Sequence, residues 1–247
     1  AEAYDELAPE IKAIETGLSS DPAMNWRVPT LEGVTITSHS DAHSPQKLGR
    51  EATLVRAQPT YDDVIGAIKS NDHRLHGTIE FFPEEGKYHA DGHRACNIRF
   101  TPEETKAHNG LCPVCVKPLV VGVENRLTEL AKHPADYMPP NPKQVEYIIP
   151  LAEVIAELHG TKSTSGKAVQ AQYHEVIDRL GDEFSILRSV PAEAIEAAGF
   201  PLLALAIERL RAGNVVREPG YDGVFGTIKV FRDAEERAAT INQLSLL

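Results

Sequence analysis

Gly33-Val34-Thr35-Ile36-Thr37-Ser38-His39-Ser40-Asp41-Ala42-His43 decides the architecture. Residues 33–38 alternate, with Val34 and Ile36 on one face and Thr35 and Thr37 on the other, the two-residue period of a β-strand. The strand runs straight into Ser40-Asp41-Ala42-His43-Ser44-Pro45. Side chains two apart on an extended chain point to the same side. Asp41 and His43 are therefore a candidate catalytic and metal-ligating pair, and His39 lies one period further back. At the C-terminal end of a barrel strand that side faces the active-site mouth. Carboxylate plus imidazole suits zinc, manganese or iron, ions that lower the pKa of water toward about 7. A bare Asp-x-His is short and common, and taken alone it reads more readily as a polar loop.

Around this strand the pattern is mixed. Residues 1–16 read as a short helix-like segment running into an apolar stretch that ends at Glu15, and 17–26 as a turn-rich loop. Thr60 and Asp63 predict a helix cap, with Val64, Ile65 and Ile68 on one helical face. Residues 77–122 are rich in glycine and proline and hold one small helix, announced by Thr101-Pro102-Glu103-Glu104. Prolines crowd 134–142, the best linker candidate. Helical stripes follow: Val145 to Leu158, Val169 to Leu180 and Leu202 to Leu210. Residues 214–231 read as strands around Pro219-Gly220-Tyr221-Asp222-Gly223, and Asp233 caps a last helix.

The three cysteines cluster. His93-Arg94-Ala95-Cys96 and Cys112-Pro113-Val114-Cys115 are two pairs, each with two residues between its ligands, separated by fifteen residues. That spacing lets four ligands reach one tetrahedral zinc ion, and a closed four-ligand site is structural. A redox Cys-x-x-Cys is the other reading, but it lacks a second ligand pair. His89 is the alternative fourth ligand. Val116 stands where such a knuckle usually has glycine. Lys87, Tyr88, His89, His93, Arg94 and Arg99 surround the module. Cations interleaved with an aromatic suit phosphate contact and base stacking, and equally a solvated loop.

Charge sets a limit. Lys and Arg number 25 against 36 Asp and Glu, a net charge of -11, which argues against non-specific coating of DNA. A local basic groove remains compatible, since screening confines charge effects to about 10 Å. No window approaches the roughly 18 to 20 apolar residues of a membrane span. The first residues lack a signal-peptide pattern, and a cytoplasmic protein is expected. Gly160 to Lys167 imitates a phosphate-binding loop, but it has five residues between its glycines, Ala168 in place of Ser or Thr, and a preceding helix rather than a strand. Nucleotide hydrolysis is rejected there.

The run Thr37-Ser38-His39-Ser40-Asp41-Ala42-His43-Ser44-Pro45-Gln46-Lys47-Leu48-Gly49-Arg50-Glu51-Ala52 resembles the last metal motif of the polymerase-and-histidinol-phosphatase (PHP) phosphoesterases. With Glu15-Thr16-Gly17-Leu18-Ser19-Ser20-Asp21-Pro22 and Thr78-Ile79-Glu80-Phe81-Phe82-Pro83-Glu84-Glu85-Gly86-Lys87-Tyr88-His89, it resembles the endonuclease Q group more narrowly, as far as about residue 231. The resemblance implies an α/β fold: the C-terminal part of a PHP (distorted TIM-like) barrel at 1–76 and a zinc-ribbon module at 77–133. A Pro-rich linker at 134–142, a mainly helical C-terminal domain at 143–232 and a helix and tail at 233–247 complete it. It implies a DNA-repair endonuclease that incises 5′ of deaminated bases such as uracil or hypoxanthine by metal-activated water.

In that reading Asp41, His43, Glu15 and His39 are metal ligands for catalytic divalent ions (zinc, manganese or magnesium). His93, Cys96, Cys112 and Cys115 hold structural zinc. Arg50, Lys87, Tyr88, His89, Arg94 and Tyr221 meet DNA, although a structural turn is the safer reading for Tyr221. The family's barrel opens with His-x-His, which this chain lacks before Glu15, so the sequence resembles the last half to two-thirds of such an enzyme. Gln243, Leu244, Leu246 and Leu247 resemble a peptide that docks on the bacterial sliding clamp, and read equally as the apolar edge of a helix. Two other functions fit: a PHP phosphoesterase of a small phosphorylated metabolite, and a non-catalytic, zinc-stabilised DNA-binding module.

Overall fold

The structure is a computed structural model that describes residues 4–234, 236, 237, 240 and 241. The possible clamp-binding residues Gln243, Leu244, Leu246 and Leu247 lie outside the described residues. The chain divides into two compact units. The first runs to Glu146 and takes in Pro219–Thr227; the second is Tyr147–Glu218 and continues from Ile228.

In the first unit, β1 (Ala13–Glu15) pairs in parallel with β2 (Thr35–Thr37), in the register Ala13 to Thr35 and Glu15 to Thr37. A three-stranded sheet orders β3 (Ala52–Val55), β4 (Leu75–Glu80) and β7 (Gln144–Tyr147) side by side, and β3 runs antiparallel to β4. The helix α2 (Tyr61–Ser70) links β3 to β4 and begins as the sequence predicts, with the Thr60 hydroxyl accepting from the Asp63 N–H. Arg74 bonds Asp63 on that helix and Asp72 in the loop beyond it, closing the turn into β4. A short hairpin of β5 (Asp91–His93) and β6 (Ile98–Phe100) builds the cysteine module. The capping box at Thr101 and Glu104 forms in full and starts α3 (Pro102–Ala107), and α4 (Val123–Leu130) follows the module.

Two local readings change and a third is completed. The segment 17–26 is not all loop: Asp21 accepts from the Met24 N–H at 2.7 Å, Pro22 follows at the first helical position, and α1 spans Pro22–Trp26. The alternation of β2 is real, but its threonine face is the buried one. The Thr35 hydroxyl donates to the Ile68 carbonyl at 2.7 Å and the Thr37 hydroxyl to that of Ile14 at 3.2 Å, so burial leaves neither polar atom unpaired. The stripe from Val145 to Leu158 is two elements, β7 and α5 (Leu151–Leu158). Pro150 separates them, because proline biases the residue before it toward an extended conformation.

The second unit is helical. Its amphipathic helices α5, α6 (Lys167–Leu180), α7 (Glu183–Arg188), α8 (Ala192–Ala197) and α9 (Pro201–Arg211) bury Ile155, Val176, Ile186, Ile195 and Ile207 completely. Each such side chain contributes roughly 1.5–3 kcal/mol against exposure. The Pro-rich segment 134–142 lies within the first unit, and the division falls beyond it. The turn Pro219–Thr227 also belongs to the first unit rather than to the helical domain with which the sequence groups it. Among the described residues no helix is long and apolar enough to cross a membrane.

Candidate metal centres and nucleic-acid interface

The strand ends of β1, β2 and β4 meet. Glu15 ends β1, His39 follows β2, and their side chains face each other at 3.7 Å. Beneath them Glu80, at the end of β4, is fully buried. One of its oxygens accepts from the Thr16 hydroxyl at 3.3 Å and the Ser38 hydroxyl at 3.2 Å; the other has no hydrogen-bond partner. Ser38 is tied sideways as well, its N–H donating to the Thr53 hydroxyl on β3 at 2.9 Å. Glu51, 2% exposed, leaves both carboxylate oxygens without a completed hydrogen bond.

Burial first, and then the nearby Glu80 charge, pushes Glu51 up to about 8. Burial likewise pushes Glu80 up to about 7, with the Asp21 charge adding to it and the Ser38 and Thr16 hydroxyls opposing it. Sequence reading passed over both carboxylates. The signal was there in Thr78-Ile79-Glu80-Phe81-Phe82, an acid inside an apolar strand, where an ionisable group is seldom buried without a partner.

Asp41 and His43 follow in an exposed loop. Asp41 has φ +45°, in the left-handed region, so the chain leaves extended geometry just where the two-residue alternation was extrapolated. The His43 ring meets the Asp41 carbonyl through Nδ1 at 2.8 Å. Arg50 donates from Nε to the Ser40 carbonyl at 3.3 Å and lies 5.9 Å from the Phe81 ring centroid, bracing the same loop. Glu15 and His39 thus form one side-chain pair, whereas His43 meets only the main chain of Asp41, so the four expected ligands do not converge as one group among the described residues.

The cysteine module is different. The ligand atoms of His93, Cys96, Cys112 and Cys115 all lie within 4.8 Å of one another, and this is the convergent His/Cys/Asp/Glu group among the described residues. His93 ends β5, and Cys96 ends the turn that follows it. Cys112 and Cys115 sit in a knuckle closed by the Val116 N–H donating to the Cys112 carbonyl at 2.9 Å. Val116 takes φ +60° there, a left-handed conformation that a β-branched residue rarely adopts. Burial and the neighbouring thiols push Cys96 up to about 11. Burial would raise Cys112 too, but the backbone N–H groups of Cys115 and Val114 outweigh it and lower that thiol. Three thiols and an imidazole converging without a carboxylate suit zinc.

Of the residues read as DNA contacts, Lys87, Tyr88 and Arg94 are exposed beside the module. His89 is not: it is 7% exposed, its Nδ1 is buried without a partner, and the metal group contains His93 in its place. The Tyr221 hydroxyl donates to the Asn97 side chain at 2.9 Å. Its ring fills the space over Gly92, where an added Cβ would stand 2.3 Å from the ring. Asp222 and Gly223 both have positive φ and close a two-residue turn between Tyr221 and Val224.

Carboxylates and imidazoles at strand ends, a four-ligand sulfur site and cations over aromatic rings mark a candidate metalloprotein. More particularly, over most of its length the chain is similar to solved structures of endonuclease Q. It superposes on the lesion-specific endonuclease PfuEndoQ of Pyrococcus furiosus with a TM-score of 0.77 at 27% identity, over 92% of this chain and 57% of that one. It is similar to an endonuclease Q in complex with a 27-mer duplex substrate carrying an abasic lesion at the active site, with a TM-score of 0.74 and 28% identity over 88% of this chain and 55% of that one. Residues 150–214 match the MJ0043 C-terminal domain family. The chain is 33% identical to uncharacterized protein MJ0043 of Methanocaldococcus jannaschii and 29% identical to uncharacterized protein YqxK of Bacillus subtilis. It spans 29% and 53% of the lengths of those two relatives.

Proposed function

We propose that this chain is part of a metal-dependent DNA-repair endonuclease that incises 5′ of deaminated bases such as uracil or hypoxanthine. The observation that supports this most is the likeness in fold, over 92% of the chain, to a lesion-specific endonuclease. The strand-end cluster carries the chemistry in this reading. Glu15, His39, Asp41 and His43 would hold divalent ions (zinc, manganese or magnesium), as part of a C-terminal PHP-barrel segment. Their donor set of carboxylate oxygen and imidazole nitrogen fits such ions. A bound divalent ion would supply water with a pKa near neutrality and charge to stabilise the attacked phosphate. Arg50 keeps the Asp41–His43 loop in place, and Glu80 with Ser38 and Thr16 fixes the strand ends beneath it. The four-ligand group would hold structural zinc and so order a segment too small to have a core of its own. Lys87 and Arg94 would meet backbone phosphates, which position a duplex without reading its sequence.

Nicking of a duplex bearing one deoxyuridine or deoxyinosine by the full protein tests this reading. Incision on the 5′ side that depends on added divalent metal and is lost in Asp41→Ala is the expected result. Undiminished incision in Asp41→Ala would remove that residue from the reaction. A second reading, a zinc-stabilised DNA-binding module without activity, is favoured by the lack of a convergent ligand group at Glu15, His39, Asp41 and His43 among the described residues. It predicts DNA binding without incision at any metal concentration.

A further inference from the structure

Phe225 is 72% exposed, yet the segment that carries it is firmly held. Gly220, Gly223 and Gly226 donate their N–H groups to the carbonyls of Glu84, Lys87 and Glu85 at 2.8, 2.8 and 3.0 Å. Tyr221 and Val224 exchange two backbone hydrogen bonds across the turn, and the Tyr221 side chain is engaged with Asn97 and Gly92. A floppy loop could fold an apolar ring back onto the protein; this pinned one fixes it outward.

Tyr88, 48% exposed, belongs to the same surface. The Lys87 ammonium lies 5.6 Å from the Tyr88 ring centroid and 5.8 Å from that of Phe225, so one cation bridges two exposed aromatic faces. Arg94 and Arg99 are exposed close by, and both are tied to this segment: the Arg94 N–H donates to the Asp222 carboxylate at 2.7 Å, and the Arg99 guanidinium to the Pro219 carbonyl at 3.2 Å. Asp222 is the only acid in Pro219–Thr227, and its charge faces that N–H.

We propose that Phe225 and Tyr88, bridged by Lys87, are the platform on which an unstacked base of a DNA strand rests, with Lys87 and Arg94 meeting the phosphates that flank it. The surface has both parts that a single strand requires, π-faces for bases and cations for phosphates. An enzyme that acts at a damaged base must take a nucleotide out of the stack, and the displaced base then needs a new partner. The proposal rests on the nuclease reading above and assigns to it a residue, Phe225, on the far side of the module from the metal ligands in sequence.

The test measures binding of the full protein to a labelled duplex with one deoxyuridine, together with incision of the same duplex. Phe225→Ala is expected to weaken binding about 5- to 100-fold, the range of one base–aromatic stack, with unchanged zinc content. Phe225→Trp is expected to retain binding, and its new indole to be quenched on adding DNA, a signal absent from the wild type. Wild-type incision with unaltered binding in Phe225→Ala would overturn the platform and leave the nuclease reading intact. Wild-type binding that depends on Phe225, without incision, would support the platform and overturn the nuclease. A wild-type protein that binds no DNA would overturn the platform.

Discussion

The two candidate metal centres are built on opposite plans. The His/Cys group draws all its ligands from residues 93–115, on one hairpin and one knuckle, and its four donor atoms converge. The strand-end groups come from Glu15, from His39 to His43, from Glu51 just before β3 and from Glu80 at the end of β4; Glu51 and Glu80 are buried, and the others do not converge among the described residues. A site made locally can close on one ion and become a staple. A site made where strands end stays open on one side, which is what a reacting phosphate and water need.

That contrast can be broken at either centre. The largest effect is expected for Cys112→Ser, which removes the one fully buried ligand of the closed group. It should abolish stoichiometric zinc, read by elemental analysis, and lower stability by at least about 3 kcal/mol in denaturant titration. Zinc held as tightly as before would show that the four residues are not a metal site. Next comes Asp41→Ala, expected to reduce incision by about a hundredfold or more while leaving zinc and stability unchanged. Parallel loss of zinc would tie Asp41 to the four-ligand group, of which it is not a member.

Glu51→Gln separates the centres by pH. Glu51 and Glu80 are raised to about 8 and about 7 from an ordinary 4.5, so folding takes up protons between those values. Stability is then fully present below about 4.5 and is lost as pH rises through about 7 and 8. Thermal melts should show the wild type weakening from pH 5 to pH 9. Glu51→Gln should match it at pH 5 and exceed it by about 1–2 kcal/mol at pH 9, because a buried charge has been removed. A flat wild-type profile would mean that Glu51 finds a cationic partner. The smallest effect is expected for Arg94→Ala: a uniform weakening of DNA binding, with the slope of log affinity against log salt reduced by about one. An unchanged slope would take Arg94 off the phosphate backbone.

Legibility in the sequence follows the same division. Local patterns could be read directly: the Cys-x-x-Cys pair with His93 and Cys96, the capping box at Thr101, the cap at Thr60, and the Asp222-Gly223 turn. In each, residues a few positions apart do the work. The mixed α/β class and the resemblance to endonuclease Q were legible too, from long blocks around residues 15–22, 37–52 and 78–89. Long-range choices were not legible. Alternation located β2, but only the partners Ile68 and Ile14 show that its threonines face inward. The Val145 to Leu158 stripe has one apolar face on paper, and Pro150 divides it. His89 looked like a surface cation and is buried. Glu51 and Glu80 were invisible as a pair because β3 and β4 bring together residues far apart in the chain.

The most direct test of the account is incision of a deoxyuridine duplex by the full protein, followed while mild chelation removes the weaker metal and divalent ions are then returned. Incision is expected to stop while one zinc per chain remains bound, and to resume on adding manganese, magnesium or zinc. Incision that continues at full rate through chelation would contradict it.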